Sequence, residues 1–384
     1  MDKKPEKLKI YYIANARMPT EKAHGIQLAK MCEAFVKQGV DLELILPRKI
    51  NLEKDSIESF YELRSPLKVK KLPVLHFGTS YWADFTLSAL TFSISYFIYM
   101  ILEKLKGRKG VIYTIDLDYF SFSLIPLLGM PYFMEIHGEK KNTLAHRLMF
   151  RSVRGIITIN RYIKRQLMET FSIPSEKIIV HPNGIDLDLF SGAISRDEAR
   201  LKLGLKKDVA IALYTGQFYD WKGLEILVSL ASRLDGIYLY VVGGTPEEFK
   251  KLTGINEIPS NMVIAGRAEF KDIPLWLAAS DVLAVIGTKK NNYSYLYTSP
   301  MKLFEYLAAK RPIVASETPS NKEIVSEKEV LFYEPDNADD FAEKVRFAAR
   351  NRDAMSSYID AGLRKAKEFS WENRARRIIE FINL

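Results

Sequence analysis

At 384 residues, 47% hydrophobic and 27% charged, the chain is too long for one core and too apolar to be disordered, so about two globular domains are expected. A net charge of +9 points to an anionic partner, but the Lys and Arg residues are scattered, and no zinc-finger spacing, RNP-type aromatic run or basic heptad region occurs, which removes nucleic acid. The single cysteine, Cys32, excludes an intrachain disulfide; on an apolar helix face with Leu28, Met31 and Phe35 it reads as packing in a reducing compartment.

The opening MDKKPEKLKIYYIANA passes from basic residues directly into a strand pattern with no apolar leader core, so a cytoplasmic protein is expected. KIYYIAN, HGIQLAKMCEAFVKQG with its stop at Gly39, and VDLELILP then form a βαβ unit, which implies a parallel sheet with right-handed crossovers. Phe85 to Leu102 is a run of 18 uncharged residues, the minimum for a membrane span. Five Ser or Thr residues dilute it, and Leu87, Leu90, Ile94, Phe97, Ile98 and Ile101 recur at helical spacing. A buried or half-buried helix is the first expectation, a helix lying in a membrane interface with Trp82 and Phe85 inserted the second, and a true span the third.

Further strand patterns follow at GVIYT (Gly110 to Thr114), YFMEI (Tyr132 to Ile136) and GIITI (Gly155 to Ile159). After the turn-like HPNGIDLDLF, a helix is expected over Ala193 to Leu203 and the alternation restarts. Strands are expected at Val209 to Gly216, Ile237 to Gly244, Met262 to Gly266, Val282 to Gly287 and Pro312 to Ser316, with a helix face at Leu224, Leu227, Val228, Ala231 and Leu234. Two doubly wound α/β domains account for the chain, with residues 1–185 as the first, 186–368 as the second and 369–384 as a terminal helix. In such sheets ligands bind beyond the carboxyl ends of the strands, and the loops of interest here all follow strands.

The stretch SYLYTSPMKLFEYLAAKRPIV concentrates the chemistry. Ser299 reads as an N-cap and Pro300 as the first helical residue, leaving the N–H groups of Met301 and Lys302 unpaired at a helix tip that favours phosphate. Lys302 adds a full charge there, and Glu305 lies one turn deeper on the face of Met301. Its two oxygens could accept from the vicinal hydroxyls of a ribose, or it could sit on a solvated face; the residues alone leave both readings open.

Ser299 to Val314 resembles the donor-binding segment of retaining glycosyltransferases of family four with the GT-B fold, in the variant reading S-P-x-K-x-x-E-Y-x-A. The likeness extends over AHGIQLAKMCEAFVKQGVDLELILP, MEIHGE, IITINRYIKRQLMETFSIPSEKIIVHPNGIDLDLF and FSWENRARRIIEFINL, nearly the whole chain. It implies two Rossmann-like domains facing each other across a cleft, the second binding a nucleoside diphosphate sugar (UDP- or GDP-linked) and the first supplying the acceptor site. The terminal helix is implied to cross back to the first domain. Glu305 then matches the glutamate on the donor ribose and Lys222 a lysine on the diphosphate. His137 matches a histidine near the transferred sugar, and Gly25 a glycine that lets the first loop approach the donor phosphates. Gly216, Gln217, Tyr297, Ser299, Met301 and Lys302 complete the implied donor site, and Arg267 fits a loop beside the base or a plain surface position.

Three positions depart from that pattern. Tyr297 stands where a second glutamate is common, Gln217 where an arginine is usual, and Lys310 where a glycine often ends the helix. No acidic pair of the DxD type follows a strand in the second domain, so a metal is not expected, and no organic cofactor is implied. The implied reaction is sugar transfer with retention to a glycan or lipid-linked glycan, with peripheral contact to an anionic membrane on its inner face as the partner expected from charge and the uncharged helix. The alternatives are a sugar-nucleotide epimerase and an inactive nucleotide-sugar-binding or scaffold subunit.

Overall fold

The computed structural model describes residues 7–49, 55–75, 81–116, 118, 120–190, 192 and 194–384. Residues 1–6, the side chain of Trp82, and Ala193 at the expected start of a helix lie outside what is described. Packing divides the chain into two compact units, residues 1–181 with 371–384, and residues 182–370.

The first unit is built on seven parallel strands, β1 (Lys9–Ile13), β2 (Asp41–Pro47), β3 (Val69–Leu72), β4 (Val111–Ile115), β5 (Tyr132–Ile136), β6 (Gly155–Thr158) and β7 (Ile178–Val180), in the order β3-β2-β1-β4-β5-β6-β7. The second unit holds β8 (Ala210–Thr215), β9 (Ile237–Val242), β10 (Met262–Ile264), β11 (Val282–Val285), β12 (Ile313–Ser316) and β13 (Leu331–Tyr333), in the order β10-β9-β8-β11-β12-β13, again all parallel. Each sheet is doubly wound, with its strand order reversing at β1/β4 or β8/β11, and the carboxyl ends of those central strands are where such folds place ligands. The strands read as continuous apolar runs because helices cover both sheet faces; β1, β4 and β5 are buried almost throughout.

The helix Ala23–Lys37 buries Leu28, Met31, Cys32 and Phe35, so Cys32 is a core residue. In the second unit, Ser195 caps the helix Arg196–Leu203 in a capping box with Glu198, so the helix begins three residues beyond the expected start. Tyr81–Leu105 forms one helix of 25 residues. Its Ala89, Phe92, Ser93, Tyr96, Met100 and Glu103 are buried, whereas Leu90, Ile94, Ile98, Leu102 and Leu105 are exposed. Half-buried is therefore the outcome for this helix, with an apolar stripe at three- or four-residue spacing on its open face.

Candidate functional site

The second unit gathers its sequence-singled residues at the end of β8. Gly216 follows that strand at φ +133, in the region that favours glycine, and a Cβ there would come within 2.7 Å of Lys302 Nζ and 3.6 Å of Lys222 Nζ. Two ammonium groups thus converge on one glycine. Lys222 ends the short 3-10 turn Asp220–Lys222, and its Nζ donates to the Gln217 carbonyl at 2.7 Å while lying 5.0 Å and 5.3 Å from the Tyr219 and Trp221 ring centres. Burial pulls its ammonium down to about 8. Gln217 therefore anchors Lys222 through its backbone, and its side-chain Oε1 accepts from Tyr219 Oη at 2.6 Å.

Lys302 and Glu305 project from the helix Met301–Ala308. Lys302 Nζ sits 3.5 Å over the Tyr214 ring, and burial, with Lys222 adding to it and Glu305 opposing, pushes its ammonium well below the usual lysine range. Burial raises the Glu305 carboxyl to about 7 against the opposing pull of Lys302. The helix is tied to β8 by Tyr306, whose Oη accepts from the Thr215 N–H at 2.8 Å and pairs with Thr215 Oγ1 at 3.0 Å.

The helix tip differs from expectation by one residue. Pro300, not Ser299, occupies the N-cap, with ψ 114 and no side-chain cap, and Met301 is the first helical residue. Ser299 is unavailable as a cap because its Oγ accepts from the Asn183 N–H at 3.3 Å, and its carbonyl accepts from Asn183 Nδ2 at 3.0 Å. The helix still opens at the N–H groups of Met301 and Lys302, so the tip keeps its donors. Past its end, Lys310 takes φ +55, the left-handed backbone that a glycine would adopt without steric cost. Tyr297 closes the π-turn Tyr293–Tyr297 just before the tip. Arg267 lies apart from the lysine pair in its interactions, 54% exposed with its Nη2 2.5 Å from Glu248 Oε1. Lys289 and Lys290 are likewise occupied on the surface by Glu334 and Glu225.

In the first unit, His137 follows β5 and its Nε2 pairs with Glu135 Oε1 at 2.6 Å. Sequence reasoning missed the network behind it. Glu135 Oε1 also accepts from Arg374 Nη2 at 2.7 Å and Gln27 Nε2 at 2.8 Å, while Oε2 accepts from Tyr113 Oη at 2.7 Å and Arg374 Nη1 at 3.3 Å. Burial alone would raise the Glu135 carboxyl, but Arg374 and then the His137 and Tyr113 bonds overcome it and hold the group well below the usual carboxylate range. The missed signal was an arginine on the apolar face Trp371, Arg374, Ala375, Ile378, Ile382, a position that demands a buried acid. Gly25 has an internal role: a Cβ would fall 2.3 Å from Tyr61 Oη, which donates to the Thr20 carbonyl and accepts from the Thr20 N–H, both at 2.8 Å.

Among the described residues no three His, Cys, Asp or Glu side chains gather as a metal site. The lysine pair and the N–H groups of the helix tip are the donors gathered there, and the Glu305 carboxyl on the same helix can accept.

Comparison with known proteins bears on both units. Residues 25–189 match the family described as Glycosyltransferase Family 4, and residues 195–365 match Glycosyl transferases group 1. D-inositol 3-phosphate glycosyltransferase of Mycobacteroides abscessus is 25% identical over 214 residues, covering 54% of this chain and 46% of that protein. The Nocardioides sp. protein of the same name is 25% identical over 240 residues, covering 56% and 50%. The chain thus spans about half the length of these curated relatives. The sucrose-phosphate synthase of Thermosynechococcus elongatus superposes with a TM-score of 0.77 at 16% identity, covering 98% of both chains. Anabaena Alr3699/HepE in complex with UDP and glucose gives 0.71 at 15%, covering 98% and 99%. At such identity these structures speak to the fold: two Rossmann-like domains.

Proposed function

The chain belongs to glycosyltransferase family four and carries its GT-B fold, and from that premise we propose that it transfers a sugar, with retention and without a metal, from a UDP- or GDP-linked donor to an acceptor hydroxyl. One observation carries the reading: Lys222 and Lys302 converge on Gly216 at the end of β8, with Glu305 one turn below the tip of the same helix as Lys302. A diphosphate would restore to both lysines the charge that burial disfavours, and the tip's N–H groups would take its remaining oxygens. The ribose hydroxyls would donate to Glu305. As the sugar–phosphate bond breaks, charge grows on the leaving oxygen, and preorganised cations stabilise it without reorganisation. The leaving phosphate takes the proton of the attacking hydroxyl on the same face, which preserves configuration. His137 holds a hydroxyl of the transferred sugar.

A nucleotide-sugar panel tests this by thermal shift, since a donor at about 100 times its Kd adds roughly 2.7 kcal/mol of stability. Turnover of radiolabelled donor, with sugar acceptors and an inositol phosphate among the acceptors, then separates transfer from its rivals. Epimerisation without transfer identifies an epimerase, and binding without turnover a scaffold subunit.

For the acceptor, the exposed stripe Leu90, Ile94, Ile98, Leu102 and Leu105 supports a lipid-linked glycan reached from an anionic membrane surface. Lys70 on the edge strand β3 lies 5.4 Å over the Tyr99 ring, one residue from Ile98, and Lys68, Lys71 and Lys104 are exposed as well. The helix is long and apolar enough to cross a membrane. Its buried face is committed to the core, which favours a helix lying on the surface over one spanning it. With a buried free thiol at Cys32, the reading places the protein in the cytoplasm, at the inner membrane face.

A further inference from the structure

His137 is the one sugar-site residue proposed from the first unit, and its ring is held by a charge network that a stable core would not need. Its side chain is 22% exposed, whereas those of Glu135 and Arg374 have no exposure at all. A fully buried ion pair is commonly no more stabilising than apolar side chains of the same volume. Here the pair is completed by hydrogen bonds from Tyr113, Gln27 and His137, five N–H or O–H groups in all converging on one carboxylate. With Arg374 holding it ionised, Glu135 is an acceptor only. The hydrogen facing it must therefore be on His137 Nε2.

We infer that Glu135, anchored by Arg374, is a positioning residue for His137: it fixes the ring with its hydrogen on Nε2 and leaves Nδ1 as the acceptor for a sugar hydroxyl. The inference rests on the sugar-contacting role proposed above for His137. The anchor comes from a distant part of the chain. Arg374 lies three residues after the chain re-enters the first unit at Trp371, and its Nη2 also donates to the carbonyl of His181, the last residue before the chain leaves that unit, at 3.4 Å. Both passages of the chain between its units are thereby tied to the group that orients the histidine, and the helix Trp371–Ile382 becomes part of the site's construction.

The test uses full-length protein labelled with 15N-histidine; the sequence has five histidines, and a His137→Gln variant identifies the resonance. The expected spectrum has His137 protonated at Nε2, and Glu135→Gln shifts its ring nitrogens toward a mixture of tautomers, because Arg374 claims the amide oxygen and the ring can meet an N–H donor. Glu135→Gln is expected to lower kcat roughly 10- to 100-fold with donor KM nearly unchanged, as for a small misplacement of a reacting group. Combined with His137→Ala it is expected to add nothing, since one residue acts through the other. Arg374→Lys, which keeps the charge, loses less than Arg374→Met. An unchanged ring spectrum in Glu135→Gln, or losses that multiply with those of His137→Ala, overturns the inference. If His137→Ala alone leaves turnover intact, the sugar-contacting role fails while the spectrum still judges the positioning. Should Glu135→Gln not fold, Glu135→Asp keeps the charge and draws the carboxylate back from the ring by one methylene; a His137 Nε2 resonance that does not move in that variant also overturns the inference.

Discussion

Replacing Glu305 with glutamine should make the empty protein more stable and the donor complex weaker, an opposition that a solvated surface glutamate cannot produce. The Glu305 carboxyl is raised to about 7 from 4.5 because burial disfavours its charge. An acid with a raised folded pKa binds its proton more tightly in the folded chain. Its cost is absent below about pH 4.5, grows as pH rises through 7, and is complete above that. At about 1.4 kcal/mol per pH unit, the ceiling is roughly 3 kcal/mol at pH 8.5. For a unit of this size that is several degrees in Tm, at about 2–4 °C per kcal/mol. Glu305→Gln removes the cost, so its Tm should exceed wild type at pH 8.5 and match it near pH 4. In the complex, the variant loses charge-assisted bonds to the ribose, each worth about 1.5–3 kcal/mol, or roughly 10- to 150-fold in donor Kd by calorimetry. A variant with an unchanged donor Kd refutes the ribose role, and one with no Tm gain at pH 8.5 refutes the burial argument.

Lys222→Ala should lower turnover roughly 10- to 100-fold while leaving Tm near wild type, as for a contact that strengthens as the leaving group charges; a loss under threefold in kcat/KM moves the diphosphate contact to Lys302. Because the Lys222 ammonium is drawn down to about 8, donor affinity should fall as pH rises past that value, and titration calorimetry between pH 7 and 9.5 reads the slope. Gly216→Ala should weaken donor binding, since φ +133 is strained for a residue with a Cβ and that Cβ, 2.7 Å from Lys302 Nζ, would push the ammonium aside; a variant that binds donor normally shows that the lysine positions around this glycine do not matter to the donor. Ile94→Glu with Ile98→Glu, both 54% exposed, should leave Tm within about 1–2 °C and remove sedimentation with anionic vesicles at low salt; wild-type protein that never pellets with such vesicles returns the stripe to a soluble-acceptor reading.

The central strands were legible because helices cover both sheet faces and force continuous apolar runs such as YFMEI and VLAVIG. What escaped were β3, β7 and β13, strands of four, three and three residues. Each lies at a sheet edge, paired on one side only. An edge strand needs little apolar sequence, and both lysines of VKKL are exposed. The helix tip was legible in position but not in its cap. Ser299 has the right side chain and the right place, yet its oxygen accepts from Asn183, 116 residues away, and no local pattern reveals that competitor.

The same limit applies to the charges. Lys302 and Glu305 announced themselves by spacing from a helix tip, and Lys222 by its place in GQFYDWKG, a stretch similar to the family's, since their neighbours in sequence are their neighbours in space. Glu135 and Arg374 are 239 residues apart, and each looked misplaced alone, an acid inside a buried strand and an arginine on an apolar helix face. Two such errors in one chain are better read together, because a buried charge survives only with a partner of opposite sign and enough hydrogen bonds to replace water. The chain buries other charges too, among them Glu43, Glu103, Arg200 and Asp281, so sequence alone does not say which acid belongs to which base. The structure pairs Glu135 with Arg374, which docks the terminal helix onto β5, and that contact ends at the histidine assigned to the sugar.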